Sequence, residues 1–187
     1  CCVNLIEPGD DVVVCINGVF GMRMADLAIR CGANVIKVEA PWGEIIRPEQ
    51  VKEAIAGKSP KLIALVHAET STGALTPAEE ISKIAHDAGA LMLLDTVTSL
   101  GGCEVDIDGW SIDAVYSGTQ KCLSCPPGLA PVSLSPKALE IANNRKTKVQ
   151  SWYLDVNLLS GYWGTERVDH HTAPISMNYA LHESLRL

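Results

Sequence analysis

The chain has 187 residues, 47% of them hydrophobic, which suits one folded domain with a sizeable core better than two. A formal net charge of -7 and a pI near 5.2 exclude nucleic acid as the main partner, because a phosphate backbone selects a dense basic face. No apolar run approaches the roughly 20 residues that cross a bilayer, and CCVNLIEPGDD at the start lacks the basic and apolar regions of a signal peptide; the chain reads as a soluble, cytoplasmic protein without a membrane partner.

VNLIEPGDD reads as the tail of a helix turning into a strand. DVVVCI (Asp11 to Ile16) is then a short, apolar, β-branched run, and NVIKVE, KLIALVH, ALMLLD and DAVYS follow at intervals, the pattern of buried strands. Between them the spacing predicts helices over Met22 to Cys31, Pro48 to Ala56 and Pro77 to Ala88, the last with proline at its first position after Thr76. Strands alternating with helices imply right-handed crossovers and an α/β fold, a mainly parallel sheet with helices on both faces. Beyond Lys121 come an apolar stretch from Leu129 to Leu134, a helix from Pro136 to Asn143 and helical material from Val156 onward, with SCPP and NNRKTK as loops.

Seven cysteines are an odd number, in a chain too large to need disulfides, and fit a reducing compartment. Cys122 and Cys125 form a C-x-x-C, but it lacks the second cysteine or histidine pair of a zinc site, so the cysteines are expected to be small, buried residues. No metal is expected.

In an open parallel sheet, ligands gather outside the carboxyl ends of the strands. The residues there are Asn17, Gly18 and Phe20; His67, Glu69, Thr70, Ser71 and Thr72; Asp95 to Thr98; and Ser117 to Lys121. Asp95 ends so apolar a strand that its carboxylate needs a partner. Taken alone it would be a helix cap, and Lys121 alone a surface lysine. Their separation, 121 − 95 = 26 residues, spans a turn, a helical or irregular crossover and a second strand, which brings both to one end of the sheet. A lysine and an aspartate in one pocket, with an aromatic ring and hydroxyls, suit pyridoxal phosphate: the lysine holds the aldehyde as an imine, and the aspartate keeps the pyridine nitrogen protonated. A desolvated site favours the neutral amine that this needs.

HAETSTGAL, LLDTVTSLGG, YSGTQKCLSCPPG, RKTKVQSWYLD and HHTAPISMNYALHESL, in that order over nearly all of the chain, resemble the class V, fold-type-I aminotransferases, in particular their alanine:glyoxylate and serine:pyruvate group. The resemblance implies that Lys121 forms the imine, Asp95 pairs with the pyridine nitrogen, and Thr70 bonds near the phenolic oxygen of the cofactor. It places Val97 on one ring face and Phe20, where the family often has tryptophan, on the other. Gln120 would help hold the phosphate, and Thr172 would reach the phosphate of a neighbouring subunit, making a homodimer part of the mechanism. The substrates implied are alanine or serine and a 2-oxo acid such as glyoxylate or pyruvate.

Simpler readings stand beside these: Val97 and Phe20 as core, Thr70 as a turn residue, and Gly101, Gly102 and Gly118 as hinges. His170 and His171 fit a structural loop better than a metal site, and Arg145, Lys146 and Lys148 a solvated patch. Asp169 replaces the tyrosine that the family commonly carries before HHT, placing a negative charge where a phosphate is expected. The family's phosphate-cradling loop is expected before Cys1 and its small domain, with the carboxylate-binding arginine, beyond Leu187; the chain then represents a large domain cut at both ends and inactive by itself. Alternatives are another class V enzyme, such as a cysteine desulfurase, kynureninase or lyase, and a non-catalytic paralogue serving as an interaction subunit. No G-x-G-x-x-G or G-x-x-x-x-G-K-[ST] follows a strand, against a nucleotide site.

Overall fold

Alternate residues of a strand point to opposite faces of its sheet, so a strand covered on both sides must be apolar throughout. Three runs meet that demand: β1 (Asp11–Ile16) is buried from Val12 onward, and β3 (Leu62–Val66) and β6 (Leu91–Asp95) are buried along their whole length. They form the middle of a six-stranded sheet, with β2 (Asn34–Glu39) on one edge, β7 (Ala114–Tyr116) beyond β6, and β8 (Val132–Leu134) on the other edge. Along the sheet the order is β2-β1-β3-β6-β7-β8, every pairing parallel except β7 with β8. The computed structural model describes residues 1–165 and 167–186.

The two faces carry separate cores. Val12, Val14, Ile16, Leu62, Ala64, Leu91 and Leu93 pack with α1 (Cys2–Leu5), α2 (Val19–Arg30) and α5 (Pro136–Asn143). Val13, Cys15, Ile63, Leu65, Met92 and Leu94 pack with α3 (Pro48–Ala54) and α4 (Ala78–Asp87). Each buried leucine or valine contributes about 1.5–3 kcal/mol relative to an exposed one, which makes the central strands the main source of stability. Asp113, just before β7, ties the layers: it accepts from Met92 N, pairs with His86 of α4 at 2.9 Å and receives the hydroxyl of Ser135, the N-cap of α5. The chain continues through α6 (Val156–Trp163) and α7 (Ile175–Ser184). Among the described residues no helix is long and apolar enough to cross a membrane.

Several expectations need adjusting. α2 begins at Val19 rather than Met22, α3 stops at Ala54 in a turn that runs to Gly57 with φ +71, and α4 begins at Ala78, with Pro77 as N-cap. Of the apolar stretch from Leu129 to Leu134, only the last three residues pair, as β8. Three cysteines, Cys15, Cys31 and Cys125, are buried as expected, but Cys1 and Cys2 are half-buried and Cys103 and Cys122 exposed. Arg145 is not simply solvated: its Nη1 donates to the carbonyls of Asn4 and Ile6 at 3.0 and 2.8 Å.

Candidate active site

In this strand order the chain leaves β1 towards β2 on one side and returns to β3 on the other, so the loops after β1 and β3 diverge and leave a crevice at their carboxyl ends. The loop after β1 is short: Asn17, Gly18, then α2. The loop after β3 is a ribbon of two short strands, β4 (Ala68–Glu69) and β5 (Ala74–Leu75), with Thr70 in its turn.

Glu69 joins these loops. Its side chain is buried and accepts from Phe20 N and Gly21 N at 3.1 Å through Oε2, and from Ser71 N and Ser71 Oγ at 3.1 and 2.6 Å through Oε1. Ser71 Oγ in turn accepts from Val19 N at 3.0 Å. The first N–H groups of α2, which have no partner within the helix, are thus capped from a different strand, and a carboxylate suits the positive end of the helix dipole. Gly18 is part of this arrangement, since a Cβ there would fall inside the van der Waals shells of Glu69 and Ser71. The cap holds half-buried Phe20 at the crevice, where the guanidinium of Arg23 lies 4.9 Å from the ring centroid.

Asp95 ends β6 with 7% of its surface exposed. Its partners are neutral: Oδ1 accepts from Val97 N at 2.8 Å and Oδ2 from the hydroxyl of Tyr116 at 2.6 Å. Tyr116 is the residue opposite Asp95 in the parallel β6–β7 register. Burial pushes the Asp95 carboxyl above its ordinary range, the bonds from Tyr116 and Val97 oppose that, and nearby Glu69 adds to it. The helix-cap reading fails, because residues 96–113 cross to β7 as turns and bends without a helix.

Lys121 follows β7 in a constrained loop. Ser124 N donates to Lys121 O at 2.9 Å, Cys125 N to Thr119 O at 2.9 Å, and Thr119 Oγ1 to Pro126 O at 2.8 Å, so the backbone around the lysine is held on both sides. The hydroxyl of Ser184 in α7 also donates to Leu123 O. Lys121 itself is exposed, as is Gln120. The loop packs on the segment after Asp95: a Cβ at Gly118 would stand 3.0 Å from Gln120 Oε1 and 3.4 Å from Val97 Cγ1, and Cys122 Sγ donates to Thr98 O at 3.0 Å. Thr98 Oγ1 meets Thr70 Oγ1 at 2.5 Å, closing the ring of loops.

Of the seven expected residues, Thr70, Val97, Gln120 and Lys121 therefore lie on loops that touch one another beside Asp95 at the end of β6, and Phe20, in the first turn of α2, is tied to the same end of the sheet through Glu69. Thr172 does not join them: it is exposed in the segment before α7, where His170 stacks on Trp152 at 4.4 Å and bonds His171 between their Nδ1 atoms at 2.8 Å. His67 is buried edge-on to Trp110 at 5.5 Å, and burial pushes its pKa down. Sequence reasoning missed Glu69 and Tyr116 as organisers of the site. Glu69 stands three residues after the wholly apolar run of β3, where a carboxylate needs partners, whereas nothing local signalled Tyr116.

The sequence profile described as "Aminotransferase class-V" matches residues 1–187. The chain is 43% identical over 187 residues to alanine–glyoxylate aminotransferase of Rattus norvegicus, covering 98% of this chain and 45% of that protein. It is 39% identical over 202 residues to (S)-ureidoglycine–glyoxylate transaminase of Bacillus subtilis, covering 98% and 49%. The crystal structure of alanine–glyoxylate aminotransferase from Nostoc sp. superposes with a TM-score of 0.96 at 49% identity, covering 99% of this chain and 49% of that one. The chain thus spans about half the length of the relatives it matches.

Proposed function

The chain belongs to the class-V aminotransferase family, and from that premise we propose that the whole protein is a pyridoxal-phosphate-dependent transaminase that moves an amino group from alanine or serine to a 2-oxo acid, glyoxylate first among them. Two relatives whose names carry glyoxylate support that acceptor; one of them also carries (S)-ureidoglycine, which makes a ureido amino acid the second candidate donor. We read this chain as the large, cofactor-binding domain, working in the cytoplasm. Its seven unpaired cysteines support a reducing compartment.

The donor set suits the cofactor. Asp95 has used one acceptor position on each oxygen and keeps others for a ring N–H. Gly118 leaves room that a side chain would fill, between Val97 and Gln120. When bound, pyridoxal phosphate supplies a ring that accepts the electron pair left as a proton departs from the substrate α-carbon. Lys121 Nζ, on its pinned loop, is the base that takes that proton. Thr70, its hydroxyl tied to Thr98, offers a fixed donor, while Val97 and Phe20 exclude water from the two faces of the slot. Gln120 is the phosphate contact within the chain. Thr172 is assigned to the phosphate of a second copy. The homodimer this needs is supported by exposed apolar side chains nearby, Trp163, Ile175 and Tyr179, each 62–74% exposed.

The observation that carries this reading is the convergence of the Thr70 and Lys121 loops on Val97 and Thr98, next to Asp95. The test is borohydride reduction of the full-length protein with pyridoxal phosphate, followed by peptide mass mapping. A reduced phosphopyridoxyl group on the Lys121 peptide is expected, together with amino transfer to glyoxylate that Lys121→Ala abolishes. A label spread over other lysines, or none, overturns the proposal.

A further inference from the structure

Asp95 sits in an environment hostile to its charge. It is buried, the negative charge of Glu69 on the ribbon after β3 opposes its own, and among the described residues no lysine, arginine or histidine forms an ion pair with it. Among the described residues, the groups opposing protonation are one backbone N–H and the Tyr116 hydroxyl, 2.6 Å away. While Asp95 is ionised, that bond has a fixed direction. Burial and the adjacent Asp95 push the phenol well above its ordinary value, so it remains an O–H donor wherever the protein is folded. The other groups near Tyr116, Cys2 of α1 and Arg23 of α2, form no bond with either residue.

We propose that Tyr116 is the positioning residue of the site: from the neighbouring parallel strand, its hydroxyl fixes the orientation of the Asp95 carboxylate and keeps it ionised for a pyridine nitrogen. The assignment rests on the cofactor reading above. The geometry is favourable because register, not chance side-chain reach, puts the two residues opposite each other. A short O–H···O⁻ bond is also among the stronger kinds. Loss of the hydroxyl leaves Val97 N alone against burial and Glu69, both of which favour the neutral acid.

The experiment compares wild type and Tyr116→Phe as full-length, cofactor-free protein, following the ¹³C-carboxyl signal of Asp95 through a pH titration and measuring pyridoxal phosphate affinity at each pH. The variant is expected to raise the Asp95 midpoint by about one pH unit. It should also weaken the cofactor about five-fold at the wild-type midpoint, with the deficit shrinking as pH rises past the new midpoint. An unchanged midpoint, or the same loss at every pH, overturns the proposal. 3-Fluorotyrosine at position 116 serves if the phenylalanine variant does not fold; its more acidic phenol donates more strongly and should lower the midpoint, and a midpoint that stays put again overturns it. A shifted midpoint in a protein that fails to bind pyridoxal phosphate even as wild type upholds the control of Asp95 by Tyr116 and overturns the cofactor reading.

Discussion

Asp95 costs the fold stability whenever it is ionised. Its folded pKa lies above the unfolded value near 3.8, so between the two the native state binds the proton and the unfolded chain does not. Stability is therefore greatest below the unfolded value and falls as pH rises through the folded one. Asp95→Asn removes the titration. The variant is expected to gain stability relative to wild type as pH is raised from about 4 to 7, read by urea denaturation at each pH; a difference independent of pH contradicts this. That Asp95 required a partner was legible from the apolar run it ends. The partner was not, because Tyr116 is 21 residues away and comes opposite only through parallel pairing. Lys121 was likewise legible as a loop lysine beside small residues, but the hydrogen bonds that stiffen its loop involve Thr119, Pro126 and Leu129, whose meeting depends on the turn itself.

Among the elements, α2 depends on residues distant in sequence for its first turn. Its first turn is capped by Glu69 and Ser71, some fifty residues further along (71 − 19 = 52), and this is why the helical pattern, read locally, begins three residues late. Glu69→Gln substitutes an amide donor for one acceptor oxygen and sets it against N–H groups. The expected loss is about 1–3 kcal/mol in chemical denaturation, with faster amide exchange at Phe20 and Gly21. Gly18→Ala should produce the same exchange signature, since the new methyl claims the space of the carboxylate. Unaltered exchange in both proteins contradicts the cap. By contrast β1 and β2 coincide with DVVVCI and NVIKVE to the residue, because β-branched runs bounded by turn residues leave little choice of ends.

For the whole molecule, alternation of strand and helix made the layered α/β architecture and the parallel sheet legible. Strand order and the antiparallel β8 were not, since several arrangements bury the same apolar faces. Nor was the strap between the N-terminal helix and the loop at Arg145. There Arg145 bonds two carbonyls of the first segment, Glu7 receives Lys146 N, Thr147 N and Thr147 Oγ1 at 2.9 Å each, and Asn4 bonds Leu154 O and Val156 N. Arg145→Ala is expected to lower stability by about 1–3 kcal/mol and to raise proteolytic cleavage before Pro8. A variant as stable and as resistant as wild type contradicts the strap.

The trans cap also sets an order of events during translation. While synthesis has reached only β2, the leading turn of α2 has nothing to receive its N–H groups, and the nascent β1-α2-β2 unit stays frayed at the end that bears Phe20. Only when Glu69 and Ser71 clear the exit tunnel does that end lock. Phe20 and the loop bearing Thr70 thus mature together, in one step.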